Sequence, residues 1–538
     1  MPDPTDPCGD SPGARDSAQD RPAVPSPAVL SPAVLSPAAR LVPLLRRNWL
    51  AGLLFAVGLA LRVLTQESYH PALLYVDSVK YLYGAWPGGD PLGYDVPLKA
   101  ILAVGGLGAV EAVQHLLGLA MAVTLYLVLL RRGVPRWLAA IAIAPVLLDA
   151  YQLEMEATIM PNVWFEALIV AGLAVLLRKP ATSLLACVVA GLALGASATV
   201  WQPGEILVVP LVLFVAAAAG GWRQALARGA AGAAAFALPV LAYCTWSLAL
   251  TGHFWLSDNG LRSSYGRVAE AADCATLRLP AYERALCPTA AARAHGPDWL
   301  DHDSQSPLKT YQPPPGMSRR QTVSGFIVAV AEQQPLRVLA GYASDAAKLF
   351  AAVRVTDAGD TPISRWQFQN SYPSFPPTIN VSSKDGIVLG LILRSSGGPL
   401  RYETLRPAYG GRALVWAPGA KLLRAYQRHG GYTPGPLLLL AVLAGLAGSL
   451  AVLRRRTTAA RRQLTLGCLL FFGAGVAVLL MSDVGEFSWR YQLLAIVTLP
   501  PAGALSLAAL PRYARRRGAE RPSGHPASPA DRLAAHAG

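Results

Sequence analysis

The sequence predicts an all-α polytopic membrane protein with about ten transmembrane helices. With 53% hydrophobic residues over 538 positions and a mean hydropathy of +0.36, the chain is too apolar for an ordinary soluble protein. Apolar runs recur along it, many of them close to the ~20 helical residues that cross a hydrocarbon core. Basic residues cluster in alternate connections between these runs. The net charge of +15 therefore orients the chain in a cell membrane and does not indicate a nucleic-acid-binding protein.

The apolar runs predict an N-terminal membrane domain with seven spans (48–250) and three C-terminal spans (435–510). The individual spans are 48–64, 107–130, 136–150, 160–178, 182–200, 205–220, 229–250, 435–453, 463–481 and 491–510. The first run begins late and no small-residue cleavage site follows it, which indicates an uncleaved anchor and not a signal peptide. An even number of spans places both ends in the cytoplasm. These ends are a Pro/Ala/Ser-rich tail, 1–47, predicted to be disordered, and a basic tail, 511–538.

Charge is distributed unequally between the two sides of the predicted membrane. Basic residues without acids occupy 131–136, 178–179, 223–228, 454–462 and 512–517. Short basic connections stay in the cytoplasm. The carboxylates of the intervening connections then face outward; they are Asp77, Asp149, Glu154, Glu156, Glu205, Asp483 and Glu486. Carboxylates collected at one water interface suggest chemistry at that face.

A long segment between spans seven and eight, 251–434, is predicted to be external and of mixed structure; it is called the external segment below. Residues 325–350 have a helical rhythm broken at Gln333-Gln334-Pro335, which predicts two short helices on the membrane surface. Cys274 and Cys287 lie close together in this segment. In an oxidising compartment, that arrangement predicts a disulfide. A metal site is the weaker interpretation, because no His or Cys pair stands nearby at zinc-finger spacing.

The first external loop, 65–106, contains the first candidate site residue, Asp77. It lies between aromatic and apolar residues at a predicted bilayer interface, where partial desolvation favours a more basic carboxylate. This setting suits a general base that takes a proton from an acceptor hydroxyl. The alternative is a solvated loop acid.

Two further acids, Glu154 and Glu156, lie where span three turns into span four. Residues two apart point to different faces of a helix, whereas in an extended loop they share a side. On a helix we expect only one of them to face a cleft. That residue could be catalytic or bind a cation, and we favour Glu154. The alternative is an ordinary charged loop.

Polar residues at two other places are candidates for substrate binding. Gln114-His115 lies ~two helical turns inside span two, and a polar pair at that depth is either a functional site or a helix–helix hydrogen bond. Arg490 is a cation at an external helix N-terminus, where guanidinium and helix dipole both favour an anion. The alternative for Arg490 is pairing with Asp483 or Glu486.

Together these segments resemble the GT-C-type membrane glycosyltransferases, which include protein mannosyltransferases and lipid A aminoarabinose transferases. The resemblance covers roughly 48–510. It rests on Tyr75-Val76-Asp77-Ser78, Tyr81-Leu82, Gly93-Tyr94, Gln114-His115-Leu116-Leu117-Gly118-Leu119, Gln152-Leu153-Glu154-Met155-Glu156, Met160, Arg490-Tyr491 with Pro500, and the segment from Tyr265 to Cys274 with Cys287-Pro288. Pro161-Asn162 stands where relatives tend to have Ser-Asp, a departure that weakens the case for a bound metal.

The resemblance implies inverting transfer of a sugar from a polyprenyl-phosphate donor to an envelope glycan, lipid or protein acceptor at the outer face. Asp77, Glu154 and Glu156 would be catalytic, and a divalent cation is left open. Substrate would be bound by Tyr94, Gln114, His115, Arg490 and Tyr491. The sequence contains no nucleotide-binding fingerprint, which fits a lipid donor.

Two other functions are open at this point. A transporter or flippase of lipid-linked glycans would have polar residues through the membrane midplane and repeated halves, but spans five to seven are nearly free of charge and no repeat is evident. The second is a catalytically degenerate envelope scaffold, which the Asn162 departure favours.

Overall fold

The computed structural model describes residues 46–83, 90–357, 359–376, 379–382, 386–393, 401–405, 412–453, 458–482, 485 and 487–510. The predicted C-terminal tail and nearly all of the N-terminal tail lie outside these residues. So do Asp483, Glu486 and the basic residues 454–456.

The described chain is mostly helical. Its α-helices are α1 (Trp49–Ser68), α2 (Ser78–Tyr83), α3 (Asp95–Leu102), α4 (Leu107–Arg132), α5 (Arg136–Leu148), α6 (Ala150–Ala157), α7 (Asn162–Leu176), α8 (Leu184–Val200), α9 (Val208–Ala218), α10 (Trp222–Thr251), α11 (Asn259–Ala271), α12 (Ala290–Arg293), α13 (Gly296–His302), α14 (Pro307–Thr310), α15 (Arg319–Gln333), α16 (Pro335–Lys348), α17 (Ala417–Arg428), α18 (Gly435–Leu450), α19 (Ala459–Ser482), α20 (Gln492–Ile496) and α21 (Leu499–Ala508). Short 3-10 turns occupy Gln202–Leu207, Arg284–Leu286, Ile363–Trp366, Ala451–Leu453 and Trp489–Tyr491.

Among the described residues, six helices are long and apolar enough to cross a membrane, which supports a multi-pass membrane protein. They are Trp49–Ser68, Leu107–Arg132, Trp222–Thr251, Gly435–Leu453, Ala459–Ser482 and Trp489–Ala508. The pair α5 and α6 passes the same test as one span bent by 48°. Three shorter apolar helices, Asn162–Leu176, Leu184–Val200 and Gln202–Ala218, overlap the remaining predicted spans. The count of ten therefore stays a prediction.

The bend between α5 and α6 has a local cause. Asp149 adopts an extended backbone conformation, which ends α5, and its side chain accepts a hydrogen bond from the Tyr151 N–H at 3.0 Å, which caps α6. The other carboxylate oxygen of Asp149 accepts from the Thr433 N–H at 2.7 Å. Asp149 therefore lies between α5 and α6 and caps the second of them. It also holds the end of the external segment against the junction of the two helices.

Basic connections meet at one end of the helix bundle. Arg132, at the C-terminus of α4, donates from Nη2 to the carbonyls of Leu177 and Lys179 at 2.7 and 2.9 Å. Arg462, near the start of α19, donates to the Ala217 carbonyl at 3.0 Å. These cations satisfy carbonyls that helix ends leave without partners. Since α19 begins here and ends at Ser482, Met481 and Ser482 lie at the opposite end of the bundle. Which end faces the cytoplasm stays a prediction.

Helices and two small sheets make up the described part of the external segment. α15 and α16 are separated at Gln334, as the broken rhythm predicted. Strands β2 (Ile379–Ser382), β3 (Gly386–Leu393) and β4 (Arg401–Leu405) form an antiparallel sheet in that order.

A second, two-stranded sheet connects the first external loop to the far end of the external segment. Strand β1 (Tyr69–His70) pairs antiparallel with β5 (Leu414–Val415), with Tyr69 opposite Val415. The predicted disulfide between Cys274 and Cys287 is confirmed, with the two Cα atoms 6.0 Å apart.

Candidate active site

A cavity of about 420 Å³ lies at the end of the bundle opposite the basic connections. Its volume is within the ~300–1,000 Å³ typical of small-molecule sites. The lining comes from the first external loop (75–77 and 90), the turn at 201–203, α11, α13, the turn at 361–366, the end of α19 (481–482), Gly485 and 490–491. The cavity thus joins membrane-helix ends to the external segment.

Asp77, the residue proposed from the sequence as the general base, lines this cavity. The turn that precedes α2 presents it: the Ser78 N–H donates to the Tyr75 carbonyl at 2.8 Å, and the Tyr75 N–H donates to the Ser78 hydroxyl at 2.9 Å. Asp77 Oδ1 lies 3.3 Å from Lys80 Nζ and Oδ2 lies 3.7 Å from Arg490 Nη1. The side chain is 31% exposed, so its carboxylate remains accessible from the cavity.

Arg490 lines the same cavity and rests on aromatic rings. Its guanidinium carbon lies 5.0 Å from the ring centre of Trp366, 5.3 Å from that of Tyr491 and 5.9 Å from that of Trp201. Cation–π contacts of this kind contribute ~0.5–2 kcal/mol each, and they hold the guanidinium in place while leaving its side chain 14% exposed. Asp483 and Glu486, the partners considered for it, lie outside the described residues.

Asp77 is connected to the external segment through a chain of charges. Lys80 pairs with Asp90 as well as with Asp77, and Asp90 accepts a hydrogen bond from Asn259 Nδ2 at 2.9 Å. Burial alone would raise the pKa of Asp90, but the Lys80 ammonium holds it below its usual value. Burial would likewise lower the pKa of Lys80, but Asp77 and Asp90 hold it well above the ordinary value. Both groups are therefore ionised at neutral pH.

The sequence did not indicate that α11 and α13 form part of the cavity wall. His302 Nδ1 lies 3.1 Å from Asp298 Oδ1, and Arg262 Nε lies 3.1 Å from Asp301 Oδ1. The hydrogen bond that His302 donates to the Asp298 carboxylate raises the pKa of His302 to about 9 against the opposing effect of burial. The available signal was the spacing of Asp298, Asp301 and His302, which places all three on one helical face.

Glu154 and Glu156 do not line the cavity. Both lie on α6, which is buried on every side, with exposed fractions of 6% and 0%. Neither is therefore the solvated loop acid of the alternative interpretation. The expectation that one of them faces a cleft fails for this cavity, because an eight-residue helix enclosed all round directs both carboxylates into protein. Glu154 accepts from the Thr158 hydroxyl at 3.3 Å.

Glu156 is the centre of a buried ionic cluster between the first membrane helices. Its Oε1 accepts from Arg62 Nη2 at 2.7 Å, and its Oε2 lies 2.9 Å from His115 Nδ1. His115 Nε2 lies 3.5 Å from Glu111 Oε1. Arg62 also donates to the carbonyls of Gly58, Val146 and Leu147 at 3.0–3.1 Å. His115 is thus part of a helix–helix contact and does not line the cavity.

Of the remaining predicted binding residues, one lines the cavity and two lie beside the buried ionic cluster. Tyr491 lines the cavity beside Arg490. Tyr94 is buried away from it and donates from its hydroxyl to Gln114 Oε1 at 2.9 Å. Gln114 Nε2 in turn donates to the carbonyls of Glu156 and Thr158 at 2.8 and 2.9 Å.

Backbone contacts connect the buried cluster to the turn that presents Asp77. The Leu73 N–H donates to the Ala157 carbonyl at 2.9 Å, and the Ile159 N–H donates back to the Leu73 carbonyl at 3.0 Å. The Ser78 hydroxyl donates to the Ile159 carbonyl at 2.8 Å. The segment that follows Glu156 therefore packs directly against the segment that carries Asp77.

Among the described residues, no group of three or more His, Cys, Asp or Glu side chains is placed to hold a metal ion. Two carboxylates of the first external loop line the cavity, but Lys80 pairs with both Asp77 and Asp90.

No family model matches the chain, and no curated protein matches it. Among solved structures, it is similar to the S. cerevisiae protein O-mannosyltransferase Pmt1-Pmt2 complex bound to the sugar donor, with a TM-score of 0.30, 14% identity, and coverage of 41% of this chain and 36% of that chain. It is also similar to the archaeal oligosaccharyltransferase AglB from Archaeoglobus fulgidus in complex with an inhibitory peptide and a dolichol-phosphate, with a TM-score of 0.39, 12% identity, and coverage of 91% and 54%.

The chain spans about a third of the first of these proteins and about half of the second. Both belong to the GT-C type of glycosyltransferase, the class that the sequence resembles. At TM-scores this low, the likeness supports no functional argument. The function must therefore be argued from the cavity.

Proposed function

We propose that this protein is a membrane glycosyltransferase that moves a sugar from a polyprenyl-phosphate donor to a cell-envelope acceptor at the outer membrane face. The observation that supports this most directly is the meeting of Asp77 and Arg490 in one cavity, 3.7 Å apart. The Asp77 carboxylate supplies a base, and the Arg490 guanidinium, packed against aromatic rings, supplies a phosphate-binding group. Both lie at the end of the membrane helices, where a lipid phosphate would arrive.

In the proposed reaction, Asp77 takes the proton of an acceptor hydroxyl as its oxygen attacks the anomeric carbon of the donor sugar. The bond from that carbon to the phosphate oxygen breaks, and the bonding electrons leave with the phosphate. Negative charge therefore grows on the phosphate in the transition state. Arg490, positioned beforehand, stabilises that charge. Its 3.7 Å separation from Asp77 exceeds a hydrogen-bond length, so a phosphate oxygen can replace the carboxylate.

The position of Arg490 favours a lipid-linked donor. It precedes α20 in the apolar segment Trp489–Ala508, at the end of the bundle that the topology prediction places outside. A cation at the outer end of a span lies at the depth of lipid phosphates, and the planar fork of a guanidinium matches two phosphate oxygens at once.

We assign Glu156, His115, Gln114 and Tyr94 a supporting role in this reaction. They contact one another and the segment that packs against the Asp77 turn, not the cavity. Glu154 is buried beside Thr158 and has no assigned part in the chemistry.

One observation favours a transporter as a second candidate, namely the ionisable cluster of Arg62, Glu156, His115 and Glu111 inside the membrane helices. Charges at such depth often mark a translocation pathway. These side chains are buried and contact one another, which suits a static contact better than a pathway.

The proposal is tested by release of polyprenyl phosphate from lipid-linked sugars extracted from the membranes of the host organism. The purified protein should release it in the presence of host envelope acceptors. Asp77→Asn should lower the rate by about 10²–10⁴-fold, the usual contribution of a general base.

Asp95→Asn is the matched control. Asp95 lies in the same loop and pairs with Lys99 at 2.9 Å, but it does not line the cavity, so its variant should retain the rate. Equal rates for wild type and Asp77→Asn would refute the role of Asp77 as the base. If the wild-type protein released no polyprenyl phosphate, the proposed glycosyltransferase activity would be refuted.

A further inference from the structure

The part of the cavity that the external segment contributes is polar and has a distinct composition. Its members are Asn259 and Ser263 of α11 and Asp298, Asp301 and His302 of α13, here called the polar wall. Four kinds of hydrogen-bonding side chain thus face one space: an amide, a hydroxyl, carboxylates and an imidazole.

The charges of the polar wall cancel once Arg262, which pairs with Asp301 but does not itself line the cavity, is counted. Asp301 lies 3.1 Å from Arg262, and Asp298 lies 3.1 Å from His302. Because the pKa of His302 is about 9, the imidazole is protonated at neutral pH and balances Asp298. A charged ligand therefore gains no net electrostatic attraction from the polar wall. Hydroxyl groups, which both donate and accept, can form hydrogen bonds with its side chains.

The side-chain amide of Asn259 has one atom in a hydrogen bond and one without a hydrogen-bond partner among the described residues. Its Nδ2 donates to Asp90 Oδ1 at 2.9 Å, and a carboxylate can only accept, which fixes the direction of the amide. The other amide atom, Oδ1, is buried and has no hydrogen-bond partner within the described part of the chain. A buried acceptor without a partner is unfavourable, because it has lost its hydrogen bonds to water. Asn259 also lines the cavity, so its amide is close to any ligand bound there.

The polar wall is held rigidly. A Cβ atom on Gly266 of α11 would lie 2.6 Å from the Pro297 carbonyl oxygen of α13, so the two helices are in backbone contact. Ser263 donates to Asp301 Oδ2 at 3.3 Å across the same contact. Side chains fixed in this way bind a ligand with little loss of conformational entropy.

We propose that the polar wall binds the acceptor and that the acceptor is a neutral, hydroxyl-rich molecule, such as the end of a glycan chain. This inference rests on the proposed function. The order of contacts supports it: Arg490, Asp77, Lys80, Asp90 and Asn259 form a continuous chain of pairwise contacts. The base thus lies between the guanidinium proposed for the donor phosphate and the polar wall, where transfer to an acceptor hydroxyl requires it.

Saturation-transfer NMR on the purified protein, with polyprenyl phosphate added in excess, tests the inference with known probes. We expect methyl glucoside and methyl galactoside to bind, and glucuronic acid and a serine-containing tripeptide not to bind. Ser263→Ala and Asn259→Leu should each weaken binding of the methyl glycosides by about 10-fold or more. Ser264→Ala is the matched control on the same helix, since Ser264 does not line the cavity, and should bind as wild type does.

Preferential binding of glucuronic acid or the peptide, or unchanged binding by both wall variants, would overturn the inference. So would failure of every probe to bind. The release of polyprenyl phosphate described above separates this failure from failure of the proposed function. If release depends on Asp77 while the glycosides do not bind, only the acceptor inference is wrong.

Discussion

Replacing Glu156 with Gln should destabilise the membrane domain, because it leaves a guanidinium without its counter-ion in a buried site. Arg62 is 2% exposed and Glu156 is fully buried, with 2.7 Å between them. Breaking a buried ion pair from one side costs about 3–5 kcal/mol. Arg62 would keep its three backbone carbonyl partners at 3.0–3.1 Å, so we expect a value near the lower end, about 3 kcal/mol.

The assay is the free energy of unfolding in detergent micelles, measured for a set of variants that isolates the charge. Glu154→Gln is the matched control: Glu154 lies two residues away on the same buried helix, but the hydrogen bond from Thr158 is its described contact, so we expect a change below about 1 kcal/mol. The double variant Arg62→Met with Glu156→Met should recover most of the loss, since a buried pair can often be replaced by apolar side chains. Equal stability of the Glu156→Gln and Glu154→Gln proteins would refute the reasoning.

Three further predictions concern the cavity and the external segment. Arg490→Ala should raise the KM for the lipid donor about 10-fold or more, with Arg490→Lys recovering part of the loss because an ammonium lacks the bidentate fork; an unchanged KM with a lowered melting temperature would contradict phosphate binding. Cys274→Ser with Cys287→Ser should lose about 3 kcal/mol of stability on the chain-entropy account, and alkylation of both wild-type thiols without prior reduction would contradict the bond. His302 has a folded-state pKa raised to about 9, so its stabilising effect is complete below about 6.5 and is lost as the pH rises through about 9. The difference in melting temperature between wild type and His302→Gln should therefore shrink across that interval, and a constant difference would contradict the Asp298–His302 pair.

Features that depend on long, repetitive patterns could be predicted from the sequence. Apolar runs predicted the six described helices that are long and apolar enough to cross a membrane. The break at Gln333-Gln334-Pro335 predicted the boundary between α15 and α16. Asp77 and Arg490 were each proposed as site residues because of their neighbours in the sequence. Both line one cavity. Nothing local in the sequence indicated that they would be 3.7 Å apart, since that proximity depends on how the membrane helices pack.

Two errors in the predicted site have physical causes. Glu154 and Glu156 were expected at a water interface, but α6 is too short to show a periodic pattern and is enclosed by its neighbours. Asp298 and His302 were missed because α13 has seven residues in a stretch rich in Pro and Gly, where a helical face is hard to recognise. In both cases tertiary packing decided the environment of the side chain.

The central claim is that Asp77 enables transfer of a sugar from a lipid-linked donor. Mass spectrometry of lipid-linked and surface glycans tests it most directly, in cells lacking the gene and in the same cells supplied with wild type, Asp77→Asn or Asp95→Asn at matched protein levels. We predict that loss of the gene removes one sugar from a surface glycan and accumulates the corresponding polyprenyl-phosphate sugar. Wild type and Asp95→Asn should restore both, and Asp77→Asn should restore neither. Restoration of the glycan by Asp77→Asn, or unchanged glycans in cells without the gene, would contradict the claim.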